Sequence, residues 1–279
     1  MNTLNIPCDE NVAQSPAYAS KTWDPPEIER VSSGSGSWHN TTKESGDGKR
    51  SQDQIVFLLD ADNTLLDNDH IEADLKHHLA QEFGAANRDR YWALLEELRV
   101  ELGYADYLSA LQRYRLGDLN DPRLLLMSSF LVDYPFEKRL YPGALDAIKH
   151  LRRWGLTVIL SDGDVVFQPR KIQHSGLWDA VEGRVLIYIH KEQMLETVMQ
   201  CYPARHYVMV DDKLRILAAM KDILGNGLTT IFPRQGHYAL DSKNIAACPP
   251  ADITIEHVGD LVNYALPALL GTAAAGHVK

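Results

Sequence analysis

The stretch "IVFLLDADNTL", residues 55–65, joins a run of apolar residues to a pair of aspartates. A continuous apolar run without polar alternation is typical of a parallel strand that is covered on both faces. Asp60 and Asp62 follow where such a strand ends, and buried carboxylates are costly unless another group compensates them. The stretch therefore predicts a central strand with an acidic site at its carboxyl end.

The same apolar pattern returns further along the chain, in "LTVILSD" (156–162), "RVLIYIH" (184–190), "HYVMVDD" (206–212) and "LTTIF" (228–232). Amphipathic segments typical of helices separate these runs, namely "PGALDAIKHLRRWG", "QPRKIQHSGLW", "KEQMLETVMQCY" and "KLRILAAMKDILG". A regular alternation of buried strands and helices predicts an α/β fold with a doubly wound parallel sheet.

Residues 66–138 interrupt this alternation, because they contain helical patterns and no strand pattern. An insertion of this length predicts a separate all-α cap rather than a connection. The α/β core then comprises residues 54–65 and 139–270. Residues 1–53 are rich in Ser, Gly, Pro and charged residues and predict a flexible tail, and we expect a second flexible tail at 271–279.

The overall charge limits the classes of partner. A formal net charge of −10 argues against nonspecific binding to nucleic acid or to an anionic membrane, which both need a basic surface. No apolar stretch reaches the roughly 20 residues of a membrane helix. The three cysteines match no disulfide or metal pattern, as expected in a reducing compartment. We therefore expect a soluble, cytoplasmic protein whose partners are small molecules or other proteins. The sequence does not indicate its oligomeric state.

Polar residues stand at the ends of four predicted strands. In an open parallel sheet, ligands bind at the carboxyl ends of the strands. The residues at or just past those ends are Asp60 and Asp62, Ser161, Lys191, and Asp211 with Asp212. We expect these side chains to converge on one site.

The chemistry of this set is coherent. Clustered carboxylates raise one another's pKa unless a cation neutralises them, which favours a hard divalent ion such as Mg²⁺. A hydroxyl and an ammonium instead suit a bound phosphate. Residues i and i+2 of an extended chain project to the same side, so that one of Asp60 and Asp62 can attack while the other handles a proton.

In these residues the sequence resembles the haloacid dehalogenase-like (HAD) superfamily, in its phosphatase branch with a small α-helical cap. "DADNTL" (60–65) is similar to the first family motif, Asp-x-Asp-x-Thr-Leu. Ser161, Lys191 and "VDD" (210–212) are similar to the second, third and fourth motifs, in the same order and at strand ends. The resemblance covers residues 54–255 and implies a Rossmann-like HAD core.

The resemblance implies a two-step phosphoryl transfer with Asp60 as nucleophile, an aspartyl-phosphate intermediate and Asp62 as general acid and base. It also implies Mg²⁺ held by the Asp60 carboxylate, the Asp62 backbone carbonyl and the fourth-motif acids Asp211 and Asp212. Thr64 and Ser161 would bind phosphate, and Lys191 would neutralise it. Family members that cleave carbon–halogen bonds do without the second Asp and the metal, so Asp62 favours phosphate esters.

Three assignments within the site remain open at this point. Either Asp211 or Asp212 could be the direct metal ligand, and we favour Asp212. Arg170 and Lys171, on the helix after the second strand, could replace Lys191 as the third-motif cation. We prefer Lys191 because the sheet fixes its position. Asp162 and Asp164 are interpreted as caps of the helix that starts near residue 165.

The expected function is hydrolysis of a small phosphorylated metabolite with Mg²⁺ as cofactor. Two alternatives stay open. A phosphomutase would use the same aspartyl-phosphate but return the phosphoryl group to the substrate. A non-catalytic phosphate- or metal-binding regulatory protein would keep the fold without turnover.

Overall fold

Six parallel strands form the centre of the molecule. The computed structural model describes residues 55–117 and 120–270. The strands lie in the spatial order β3-β2-β1-β4-β5-β6, and each neighbouring pair is parallel. They are β1 (Ile55–Leu59), β2 (Leu156–Asp162), β3 (Val185–Tyr188), β4 (His206–Val210), β5 (Leu228–Pro233) and β6 (Ile253–Ile255). The prediction of an α/β fold with a doubly wound parallel sheet is confirmed.

The quoted stretch supplies the central strand, as its apolar character requires. β1 pairs with β2 on one side and with β4 on the other. Phe57 and Leu59 pack into the hydrophobic cluster on one face of the sheet, whereas Val56 and Leu58 pack into the cluster on the opposite face. Successive residues of β1 point to opposite faces of the sheet, and both faces are covered. Every residue of the strand must therefore be apolar, which explains the unbroken run.

Four helices follow β1 before the chain returns to the sheet. They are α1 (Asn68–Phe83), α2 (Ala85–Leu102), α3 (Tyr107–Arg115) and α4 (Arg123–Val132). They share a hydrophobic cluster centred on buried residues such as Leu75, Leu95 and Met127, and we call them the helical insertion. No strand lies among the described residues from 68 to 132. The division into core and cap at residues 65 and 139 stays a prediction.

The remaining helices cover the two faces of the sheet. Ile148 of α5 (Ala144–Leu151), Ile172 of α6 (Phe167–His174) and Leu177 of α7 (Leu177–Ala180) pack on one face. Val198 of α8 (Leu195–Cys201) and Leu217 of α9 (Leu214–Leu224) pack on the other. The short helices α10 (Gly236–Leu240), α11 (Ser242–Ala246) and α12 (Leu266–Leu269) complete the described chain.

One strand of the sheet goes beyond the sequence prediction. β6 has only three residues, too few for a recognisable apolar run, and was not predicted. The predicted tails at 1–53 and 271–279 lie outside the described residues. Among the helices of the described ranges, none is long and apolar enough to cross a membrane.

Candidate active site

Three carboxylates meet at the carboxyl edge of the two central strands. Asp60 follows β1, and Asp211 and Asp212 follow β4, the neighbour of β1. The backbone N–H of Asp60 donates to the Val210 carbonyl at 3.0 Å, which extends the pairing of the two strands to the site. One carboxylate oxygen from each aspartate lies within 4.8 Å of the others, and all three residues are buried. We call these residues the acid cluster.

A buried ammonium in direct contact with the acid cluster partly neutralises it. Lys191 Nζ lies 2.5 Å from Asp60 Oδ1 and 2.7 Å from Asp211 Oδ2. Burial by itself would lower the pKa of Lys191, but Asp211 and Asp60 outweigh it and raise the pKa above the ordinary value. Lys191 therefore stays charged, and Lys213, which directly follows Asp212, places a second ammonium near the three carboxylates.

Three of the four remaining carboxylate oxygens of the acid cluster lack donors, whereas Asp211 Oδ1 accepts from the Lys213 backbone N–H at 2.8 Å. Asp60 Oδ2 and both side-chain oxygens of Asp212 are buried and have no hydrogen-bond partner within the described ranges. Burial raises the pKa of Asp60 to about 6, with Lys191 opposing the shift and Asp211 adding to it. Burial, together with Asp211 and Asp60, raises the pKa of Asp212 well above its usual range although Lys213 opposes it.

These unpartnered oxygens fit a hard divalent cation. Buried acceptors of this kind are costly unless they bind a proton or a metal ion. Several carboxylate oxygens from different strand ends within a few ångströms match the ligand preference of Mg²⁺. The residues present are therefore suitable for holding such an ion, as the sequence predicts for Asp60, Asp211 and Asp212.

The Asp62 carboxylate lies apart from the acid cluster and has its own cation. Lys171 Nζ lies 2.7 Å from Asp62 Oδ1, and Gln168 Nε2 donates to Asp62 Oδ2 at 3.3 Å. Lys171 Nζ also donates to Asn68 Oδ1, at the start of α1, at 3.0 Å. The two carboxylates of the Asp-x-Asp pair thus have different environments. Metal binding by Asp62 through its backbone carbonyl stays a prediction.

The structure shows where each of the three candidate basic residues lies. Lys191, the preferred choice, lies against Asp60, but Lys171 is equally buried and lies against Asp62. Arg170 points away and pairs with Asp133 at 3.1 Å. The sequence analysis considered Lys171 only as an alternative to Lys191, and it predicted neither the contact of Lys171 with Asp62 nor that of Gln168. The signal was the buried face of α6, which contains Phe167, Gln168, Lys171 and Ile172.

The two candidate phosphate-binding hydroxyls are both buried at this edge. Ser161 Oγ accepts a hydrogen bond from Gln168 Nε2 at 2.9 Å, so that it lies on the Asp62 side of the site. Thr64 Oγ1 accepts from the Asp212 backbone N–H at 3.1 Å, on the acid-cluster side. Their binding of phosphate stays a prediction.

The helix-cap interpretation of the second motif is half correct. Asp164 Oδ1 accepts from the backbone N–H groups of Val166 and Phe167 at 2.8 and 2.6 Å, which caps α6. Asp162 instead accepts from the Lys191 backbone N–H at 2.8 Å. Asp162 thereby ties the end of β2 to the turn that carries Lys191.

A cavity of about 170 Å³ opens beside Asp62 and Lys171. Glu72 and Arg99 of the helical insertion line its far side, where Arg99 Nη2 donates to Glu72 Oε1 at 3.2 Å. His237 of α10 also lines it, and its backbone N–H donates to Asp69 Oδ2 at 2.8 Å. The cavity thus lies between the sheet edge, the helical insertion and α10, and it has room for a small polar ligand.

Comparison with known proteins assigns the family. The family model described as hydrolase, haloacid dehalogenase-like hydrolase, matches residues 56–223. A haloacid dehalogenase-like hydrolase from Burkholderia xenovorans LB400 of known structure is 71% identical, with a TM-score of 0.73, covering 76% of this chain and 99% of that chain. A search of the curated proteins found no match.

More distant structures share the fold. A haloacid dehalogenase-like family hydrolase from Xanthomonas campestris has a TM-score of 0.54 at 20% identity, covering 80% of this chain and 99% of that chain. A HAD-hydrolase from Bacillus subtilis bound to magnesium has a TM-score of 0.53 at 17% identity, covering 76% and 98%. The matched family model, the highly identical relative and the strand-end acid site agree, and the chain belongs to the haloacid dehalogenase-like hydrolase family.

Proposed function

We propose that this hydrolase cleaves small phosphomonoesters with Mg²⁺ as cofactor and a small phosphorylated metabolite as substrate. The observation that carries the proposal is the acid cluster, in which buried carboxylate oxygens of Asp60 and Asp212 have no donor among the described residues. Without a further cation, these oxygens would have to bind protons or stay unpaired beside Lys191 and Lys213. When bound, Mg²⁺ would shield the attacking carboxylate from the negative phosphate and stabilise charge on the transferring group.

Asp60 is the proposed nucleophile. β1 holds its backbone at the sheet edge, and Lys191 fixes Oδ1 by an ion pair, so that Oδ2 is the oxygen without a partner. Attack by this carboxylate on phosphorus forms an aspartyl-phosphate as the bond to the leaving oxygen breaks. Water then attacks phosphorus, which releases inorganic phosphate and restores the carboxylate.

Asp62 is the proposed general acid and base. Its side chain is about a quarter exposed and faces the cavity, unlike the buried acid cluster. In the first step it gives a proton to the leaving oxygen, and in the second it takes a proton from the attacking water. Lys171 and Gln168 hold the carboxylate and line the same cavity.

A purified-protein assay tests the proposal. We expect Mg²⁺-dependent phosphate release from p-nitrophenyl phosphate, and we expect Asp60→Asn to reduce it by at least roughly 10³-fold. Asp222→Asn is the matched control, because Asp222 is exposed on α9, and it should keep full activity. Turnover that survives Asp60→Asn would rule out Asp60 as nucleophile.

The same assay separates the competing functions. A dehalogenase would release chloride from 2-chloropropionate without added Mg²⁺ and no phosphate from phosphate esters. A phosphomutase would convert a sugar phosphate to its isomer with little free phosphate. A non-catalytic protein would bind Mg²⁺ and release neither product.

A further inference from the structure

A second cavity of about 200 Å³ adjoins the active-site cavity. Its walls are largely apolar and come from the start of α9, from β5 and from the region of α11. The apolar wall residues are Leu214, Phe232, Ile245, Ala247 and Cys248. Asn244 also lines it, with its amide facing the Tyr238 carbonyl oxygen at 3.5 Å. A concave apolar surface of this kind is typical of ligand sites.

The two cavities share one wall. Lys213, Arg215 and Tyr238 line both of them. Lys213 directly follows Asp212 of the acid cluster, and its Nζ lies 5.0 Å from the centre of the Tyr238 ring. The apolar cavity and the cavity beside Asp62 are therefore neighbours that meet at these three side chains.

The size and lining of the second cavity limit what it can hold. An apolar cavity of about 150 Å³ is sufficient for benzene. A space of about 200 Å³ therefore suits one aromatic ring or an aliphatic group of similar size. Lys213 and Arg215 lie on the shared wall, where they line both cavities.

We propose that this apolar cavity binds the leaving group of the substrate, and that the substrate is a phosphomonoester whose alcohol ends in an aromatic ring or a similarly sized aliphatic group. The inference rests on the proposed phosphatase function and adds the substrate class. It assigns selectivity for the leaving group to α11 and the end of β5, in addition to any contribution from the helical insertion.

Two alkyl phosphates with similar leaving groups test the substrate class. Ethyl phosphate and 2-phenylethyl phosphate both release an alcohol, so that the difference between them reports the ring. Burying the ring should raise kcat/KM for 2-phenylethyl phosphate by about tenfold or more. A ratio near one would overturn the inference, even if both esters are hydrolysed.

A matched pair of variants locates the effect. Ala247 lines the cavity and Ala246, its neighbour in the chain, does not, although both are exposed. Ala247→Phe should fill the cavity and bring the ratio of the two kcat/KM values toward one. Ala246→Phe should leave the ratio unchanged. If both variants bring the ratio toward one, or if neither does, the placement of the ring in this cavity is contradicted.

Thiol labelling gives a readout that is independent of turnover. Cys248 lines the cavity, whereas Cys201 is exposed elsewhere and serves as an internal control. With Mg²⁺ present, phenylphosphonate should slow alkylation of Cys248 by iodoacetamide, measured by peptide mass spectrometry, and methylphosphonate should not. Neither phosphonate should change the rate at which Cys201 is alkylated. Equal Cys248 rates with both phosphonates would overturn the inference.

The two readouts distinguish this inference from the proposed function. If no phosphate ester is hydrolysed but phenylphosphonate protects Cys248, the phosphatase proposal fails and the cavity remains a binding site for an aromatic phosphonate. If both esters release phosphate at equal efficiency and Cys248 is not protected, only the substrate class fails.

Discussion

Removing the ammonium of Lys171 tests whether the second lysine of the site serves the proposed general acid. Lys171 Nζ lies 2.7 Å from Asp62 Oδ1 and 3.0 Å from Asn68 Oδ1, and the side chain is only 1% exposed. Lys171→Met keeps the approximate length of the side chain and removes the charge. The Asp62 carboxylate then keeps only the 3.3 Å contact to Gln168.

The expected loss depends on the leaving group. General acid catalysis is worth roughly 10²- to 10⁴-fold, and misplacing the acid should remove part of that. We expect kcat to fall by about 10- to 100-fold for ethyl phosphate, whose leaving oxygen needs a proton. For p-nitrophenyl phosphate the loss should stay within about threefold, because nitrophenolate leaves without a proton.

The effect on folding should be small by comparison. Asp62 is about a quarter exposed, so water can replace the lost ion pair, and we expect the free energy of unfolding to fall by about 1–2 kcal/mol. Arg170→Met is the matched control from the same helix, since Arg170 pairs with the exposed Asp133 away from the site. Arg170→Met should leave kcat unchanged for both ethyl phosphate and p-nitrophenyl phosphate.

Steady-state kinetics with both esters test the positioning role of Lys171. The variants compared are Lys171→Met, Asp62→Asn and the double variant. If Lys171 acts through Asp62, Lys171→Met should add little once Asp62 is Asn. Equal losses for both esters, or a full additional loss in the double variant, would refute the positioning role. Lys171 would then act on the phosphate directly or only on folding.

The other predictions concern stability. In metal-free protein, the pKa of Asp60 is raised to about 6, so its stabilising contribution is complete below the unfolded pKa near 4 and is lost as pH rises to about 6. Urea unfolding with EDTA should show a decrease on the order of 2–3 kcal/mol or more across this range, to which Asp212 adds because its pKa is also raised, and Asp60→Asn should make the decrease smaller; a flat profile in the parent protein would contradict it. Gly236 has φ +71°, and a Cβ there would lie 2.5 Å from Asn63 Cβ, whereas Gly225 has φ +52° and open space. Gly236→Ala should therefore lower the free energy of unfolding by about 1–3 kcal/mol more than Gly225→Ala; equal losses would show that the clash is relieved.

Most of the sheet could be predicted from short windows of sequence. β2 coincides with the predicted "LTVILSD", and the predicted strands around β1, β4 and β5 agree within a few residues. These strands are covered on both faces, so that their burial is recorded in unbroken apolar runs. β6 was missed because three residues at the edge of the sheet carry too little of that signal.

The sequence by itself determined which residues stand at the strand ends, because a parallel sheet aligns those ends whatever the helices do. It thereby indicated Asp60, Lys191 and Asp212 as neighbours. Only the tertiary structure decided that Lys171 faces Asp62, 109 positions away along the chain. That contact depends on how α6 is rotated against the sheet, which no local periodicity specifies. The same holds for the apolar cavity beside Lys213, since its walls come from segments that only packing brings together.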